Sequence, residues 1–302
     1  MKKTFFYTVY AVIAAICASA LRFAQYVFII DKEGRYVTTS LPEVILKYSV
    51  GAVLIISVIF AFIALFALGK ARAGEGSLTG GVYAGSISLV IALAISLESG
   101  LRVGNMLKTR IVDWIGIAGV LAVVYFAMLS IELFSARKIK ISALFGIFPP
   151  VYVYLRGIIL FFESFKTVNK SEMRIEMLTI CALALFITAF VSVRVKANVR
   201  TSRACAVTSI SFIMSTLFSL SGIYTFVTGT GSVERLLWLV QVFLFGALSL
   251  IALIRLANNV DSFEQKEQTE ENTIPEQLDV YIDDIPEEEE ETEATEQTEE
   301  NE

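Results

Sequence analysis

The sequence predicts an all-α protein, a polytopic transmembrane bundle of about eight helices followed by a disordered acidic C-terminal tail. Three observations carry that expectation. Hydrophobic residues make up 55% of the 302-residue chain, and the mean hydropathy is +0.67, more apolar surface than one soluble core can hide. The apolar residues come in runs of about 20, the length a helix needs to cross a hydrocarbon core of about 30 Å. The charge is partitioned as well. Residues 258–302 hold 19 of the 30 acidic groups and a single base, Lys266, whereas residues 1–257 hold 24 of the 25 bases and 11 acids. The formal net charge of -5 therefore averages a basic membrane part, 1–257, and an acidic tail, 258–302.

Eight runs qualify as spans. The first covers 5–30. Lys2 and Lys3 precede it, and Ala18, Ser19 and Ala20 give it the form of a secretory signal with a small-residue cleavage site, which would leave seven helices. The run resumes after Arg22 and continues through Tyr26 to Ile30, so a retained first helix is expected. The second, 47–68, follows Ser40 and Glu43 at capping-box spacing, with Pro42 where its missing N–H costs nothing. The third, 80–101, carries a stripe of small residues, Gly81, Gly85, Ser88, Ala92, Ser96 and Gly100, which permits close helix contact. The fourth, 114–134, has no ionised group before Glu132. In the fifth, 142–162, Pro149 and Pro150 predict a kink or a late helix start. The sixth, 175–193, follows Ser171 and Glu172, and the eighth, 235–257, follows Ser232 and Glu234, acids that suit the positive end of a helix dipole. The seventh, 204–228, has Thr208, Ser211, Ser215, Ser219 and Gly222 on one side. Small and hydroxyl residues of this kind place the third and seventh helices at the centre of the bundle.

Orientation follows from the short loops, because Lys and Arg resist translocation. With the N-terminus inside, the inner loops carry Lys70, Arg72, Arg137, Lys138, Lys140, Arg194, Lys196, Arg200 and Arg203 and are almost purely basic. Bases in the outer loops are largely offset by acids such as Asp31, Glu33, Asp113 and Glu163. Both termini are expected in the cytoplasm. Matches at offsets of about 131–135, Lys2 and Lys3 with Arg137 and Lys138, Arg22 with Arg156, Ser40 with Ser171, suggest a 4+4 repeat about an axis along the membrane normal.

Ionised residues inside the apolar runs are the site candidates. Arg22 and Arg156 each stand within a span, where a central charge costs about 2.5–3.5 kcal/mol on insertion scales and so faces the bundle interior, a wet cavity or a partner. Together they could bind an anion, a carboxylate, a phosphate or a lipid headgroup. The alternatives are snorkelling to the outer headgroups or a structural pair with Glu98 or Glu163. Glu98 and Arg102 are four residues apart, the spacing of a local salt bridge, and Glu98 could instead take Arg22 or Arg156.

Several chemistries lack their residues. Histidine is absent, and Cys17, Cys181 and Cys205 fall in apolar stretches without CxxC spacing, so they read as packing residues; no metal site or other cofactor is expected. There is no Walker A loop, no GxSxG turn and no folded nucleic-acid module, and an enzyme is not the expectation. In the tail, Leu278, Val280, Tyr281, Ile282 and Ile285 form an apolar island among Asp279, Asp283 and Asp284, a pattern that can dock on a basic groove. Two functions are thus expected from different parts of the chain. One is binding or transport of a small anion or lipid headgroup near Arg22, Arg156, Glu98 and Arg102. The other is a scaffold recruiting a basic cytoplasmic protein through the tail. Finally, Leu21, Arg22, Gln25, Asp31 and Gly34, with the stretch from Pro150 through Arg156 to Phe165, resemble multi-pass membrane proteins of Gram-positive bacteria. The resemblance brings no activity, ligand or functional residue with it.

Overall fold

The fold follows from where long apolar helices start and stop. The structure is a computed structural model and describes residues 3–30, 36–67, 81–135, 145–164, 171–194, 200–229 and 232–271. Its helices are α1 (Lys3–Phe28), α2 (Leu41–Ala67), α3 (Val82–Thr109), α4 (Trp114–Ser135), α5 (Phe148–Ser164), α6 (Ser171–Arg194), α7 (Thr201–Thr228) and α8 (Val233–Glu271). All eight are long and apolar enough to cross a membrane, and the chain is a multi-pass integral membrane protein. α1 is continuous through the Ala18–Ser19–Ala20 triplet. The described helix α8 runs past residue 257, where composition alone sets the end of the membrane part. The chain divides into one compact unit, Met1–Ser262, and a second, Phe263–Glu302, of which 263–271 are described and helical. Leu278, Tyr281, Ile282 and Ile285 lie outside the described residues.

Helix starts on the expected outer side are chemically marked. Glu43 reaches back from the first turn of α2 to accept the N–H groups of Thr39 (2.5 Å) and Ser40 (3.1 Å), which is half of a capping box. The Ser232 hydroxyl accepts the N–H of Arg235 at 3.2 Å. Asp113 caps α4 by accepting from Ile115 (2.9 Å) and Gly116 (3.1 Å). The proline pair resolves as a late start: one 3₁₀ turn, Phe145–Ile147, precedes α5, and Pro149 and Pro150 occupy its first turn, where no i−4 carbonyl awaits their missing N–H.

In lipid no hydrophobic force draws helices together, so association depends on close fit and polar contacts. α7 is the hub. It packs on α1, α2 and α6, and on α8 through the Ser211–Ser249 hydroxyl pair at 3.1 Å. Thr208, Ser211, Ser215, Ser219 and Gly222 are all buried. A Cβ on Gly222 would overlap the Leu239 side chain, and one on Gly246 would sit 3.0 Å from Ser215 Cβ, so glycine is what lets these helices touch. The stripe on α3 holds only in part. Gly85, Ser88 and Ala92 are buried, whereas Ser96 and Gly100 are exposed, the buried line passing instead to Ile95, Glu98 and Ser99. Two successive steps of four residues turn about 80° off the original face of a 3.6-residue helix, which carries the stripe out to the surface. α2 is the peripheral helix, with 22% of its apolar window buried against 56% in α6 and α8. Of the cysteines only Cys205 packs inside; Cys17 and Cys181 are exposed.

The offsets between the two halves do not lead to equivalent surroundings. α6 packs along its successor α7, whereas α2 packs along α1 and α7. Arg22 and Arg156, matched by sequence offset, sit in the different networks described next.

Candidate functional site

Helices α1, α3, α5 and α7 finish, and α2, α4, α6 and α8 begin, at the same end of an up-and-down bundle. Among the described residues, the buried charged side chains, Arg22, Glu98, Arg156 and Glu176, gather toward that end. Glu98, on the last turns of α3, is fully buried and is the centre. One carboxylate oxygen accepts Arg102 Nε at 2.8 Å and also Arg156 Nη2. The other accepts Gln241 Nε2 at 2.8 Å and lies 2.9 Å from the Tyr152 hydroxyl. That hydroxyl also lies 2.7 Å from Gln241 Oε1, so its single proton serves one of the two acceptors at a time. A buried carboxylate is tolerable only when its lone pairs are met in this way.

Arg156 is nine-tenths buried, its guanidinium 3.9 Å from the Trp238 ring centroid. Trp238 in turn donates its indole N–H to Glu176 at 2.8 Å, and Glu176 takes both contacts of Arg235 Nη1, at 2.6 and 2.7 Å. Arg102 extends the cluster outward to Asp113 at 3.1 Å and Glu234 at 3.9 Å. Beside these groups lies a cavity of about 410 Å³, lined by Arg102, Arg156, Arg235, Glu172 and Glu176 and by apolar side chains that include Ile115, Ile159 and Ile180. Among the described residues, Arg156 Nη1 and the Nε and Nη2 groups of Arg235 make no hydrogen bond. The chain matches no protein-family model, no curated protein and no solved structure.

Arg22 belongs to a second cluster. It is fully buried and donates to Gln25 Oε1 (2.8 Å), to the Tyr36 hydroxyl (2.7 Å) and to the Tyr26 hydroxyl (3.3 Å), with its guanidinium over the Tyr26 ring. Gln25 donates to the carbonyls of Leu46 and Lys47 on α2, and a single antiparallel bridge, Ile30 with Tyr36, holds Tyr36 over the end of α1. The link to the cavity is indirect: Tyr26 donates to Glu172 Oε1 at 2.7 Å, and Glu172 is one of the lining residues.

Arg22 and Arg156 both face the interior, and neither snorkels to the surface. The alternatives for Glu98 are realised together: it keeps its helical neighbour Arg102 and also takes Arg156. Arg22 goes elsewhere. Sequence reasoning missed Glu176, Trp238 and Gln241, all buried, and the role of Arg235. Glu176 and Gln241 were detectable by the criterion that found Arg156, a polar group inside an apolar run. Trp238 carried no such signal. In chemical terms, the cavity presents directed guanidinium N–H donors, held by aromatic and carboxylate partners, in a site walled by membrane helices. Such donors suit a planar carboxylate or a phosphate.

Proposed function

We propose that this protein spans the bacterial cytoplasmic membrane with both termini inside, and binds a small anionic group, on a solute or a lipid headgroup, at its external end. The observation that carries the reading is the cavity wall, where Arg156 and Arg235 both present N–H groups without an acceptor among the described residues. Arg156 is buried and Arg235 partly exposed, and both line the cavity, where a carboxylate or phosphate oxygen can take their spare donors. The basic inner loops support the sidedness. Arg22, buried behind Tyr26 and Glu172, supports the site from outside it.

The test is a thermal-shift series on the detergent-purified full chain with succinate, phosphatidylglycerol and glycerophosphoethanolamine. At least one should raise Tm saturably, as a ligand that binds only the folded state does. Arg156→Gln should remove that shift, and truncation after Glu271 should leave it intact. If none of the three stabilises the protein, the reading fails.

A further inference from the structure

The charges already present around the cavity restrict what it can take. Among the described residues, the guanidinium groups of Arg102, Arg156 and Arg235 are ion-paired with the carboxylates of Glu98, Asp113, Glu176 and Glu234. Three guanidinium groups thus face four carboxylates, so the arginine charge is more than offset before any ligand arrives. A bare anion would bring uncompensated negative charge into a site walled by membrane helices, where an unpaired charge is expensive. A ligand that carries its own positive charge would not. The same cavity supplies a place for that charge: Glu172 lines it, and its Oε1 accepts the Tyr26 hydroxyl while Oε2 makes no hydrogen bond among the described residues.

Resting on the binding reading above, we infer that the ligand is a zwitterion, with an ammonium group on Glu172 and a carboxylate or phosphate on Arg156 and Arg235. Free amino acids and amine-bearing phospholipid headgroups share that chemistry. Trp238 is a built-in reporter, because its ring lies under Arg156 and its N–H bonds Glu176. The one other tryptophan, Trp114, is exposed at the start of α4, so Trp114→Phe leaves a single emitter.

The experiment titrates that full-length variant in detergent with two matched pairs, glycerophosphoethanolamine against glycerophosphoglycerol and glycine against acetate, following Trp238 emission. In at least one pair the amine-bearing member should bind 10-fold or more tightly than its amine-free counterpart. Glu172→Gln, which keeps an acceptor for Tyr26, should reduce that ratio to about 2-fold or less. The wild-type Glu172 ratio depends on no site variant folding. Dihexanoyl phosphatidylethanolamine binding 10-fold more tightly than glycerophosphoethanolamine would assign a lipid source, and equal binding a soluble one. Both outcomes support the shared chemistry. If the amine-free members bind as well as their partners, the zwitterion inference is overturned while anion binding stands. If no compound of either pair binds, both readings fall.

Discussion

Removing the charge of Glu98 without changing its shape is the sharpest perturbation of the cluster. In Glu98→Gln the side chain still accepts one hydrogen bond, but Arg156 loses the only carboxylate within ion-pair distance among the described residues. Arg102 keeps Asp113 at 3.1 Å, so the penalty falls mainly on Arg156. Breaking a buried pair by neutralising one partner costs about 3–5 kcal/mol, and a hydrogen bond to a charged group contributes about 1.5–3 kcal/mol. Glu98→Gln should therefore cost about 3 kcal/mol. Arg156→Gln should cost less, about 2 kcal/mol, because Glu98 retains Arg102, Tyr152 and Gln241 as donors. The double variant should be better than the sum by a coupling of about 1.5–3 kcal/mol. Equilibrium unfolding in mixed micelles of rising SDS fraction, read by tryptophan emission, measures all three. A coupling below about 0.5 kcal/mol, the level of independent sites, would refute the pair and the network built on it.

Three further outcomes follow from the packing and caps. Gly222→Ala should destabilise the bundle by about 1–3 kcal/mol in the same assay, since Leu239 must move, whereas Gly51→Ala, with nothing within 4 Å, should be neutral or stabilising by up to about 1 kcal/mol. Asp113→Ala should cost about 1–2 kcal/mol through loss of the α4 cap, visible as faster hydrogen exchange at Ile115 and Gly116. Arg22→Gln should destabilise the α1–α2 hairpin yet change the affinity of any cavity ligand less than 3-fold, while Arg156→Gln lowers it at least 10-fold; equal effects would place Arg22 in the site.

The spans were legible because each is a run of about 20 apolar residues with no competing use in water. Their ends were less so. α2 starts at Leu41 and α3 runs to Thr109, because a helix extends into polar sequence wherever caps and ion pairs such as those of Glu43 and Arg102 hold it. Arg156, Glu98 and Arg102 were readable because charge inside an apolar run demands a reason. Their meeting was not, since α3 and α5 are far apart in sequence and nothing local says which helices adjoin. The same blindness made Arg22 look equivalent to Arg156. An offset in sequence matched them, but Arg22 is closed off by side chains of its own hairpin, Gln25, Tyr26 and Tyr36, whereas Arg156 looks across the bundle to α3 and α8.

The central claim is that the cavity beside Arg102, Arg156 and Arg235 is a ligand site reached from outside the cell. Ile159 lines it near the C-terminal end of α5 and is partly exposed. With Cys17, Cys181 and Cys205 replaced by alanine, an Ile159→Cys variant in intact cells can be treated with a membrane-impermeant maleimide, with and without glycerophosphoethanolamine. The account predicts labelling in intact cells and at least a 3-fold slower rate with the ligand present. Labelling that appears only after permeabilisation, or a rate that the ligand leaves unchanged, would contradict it.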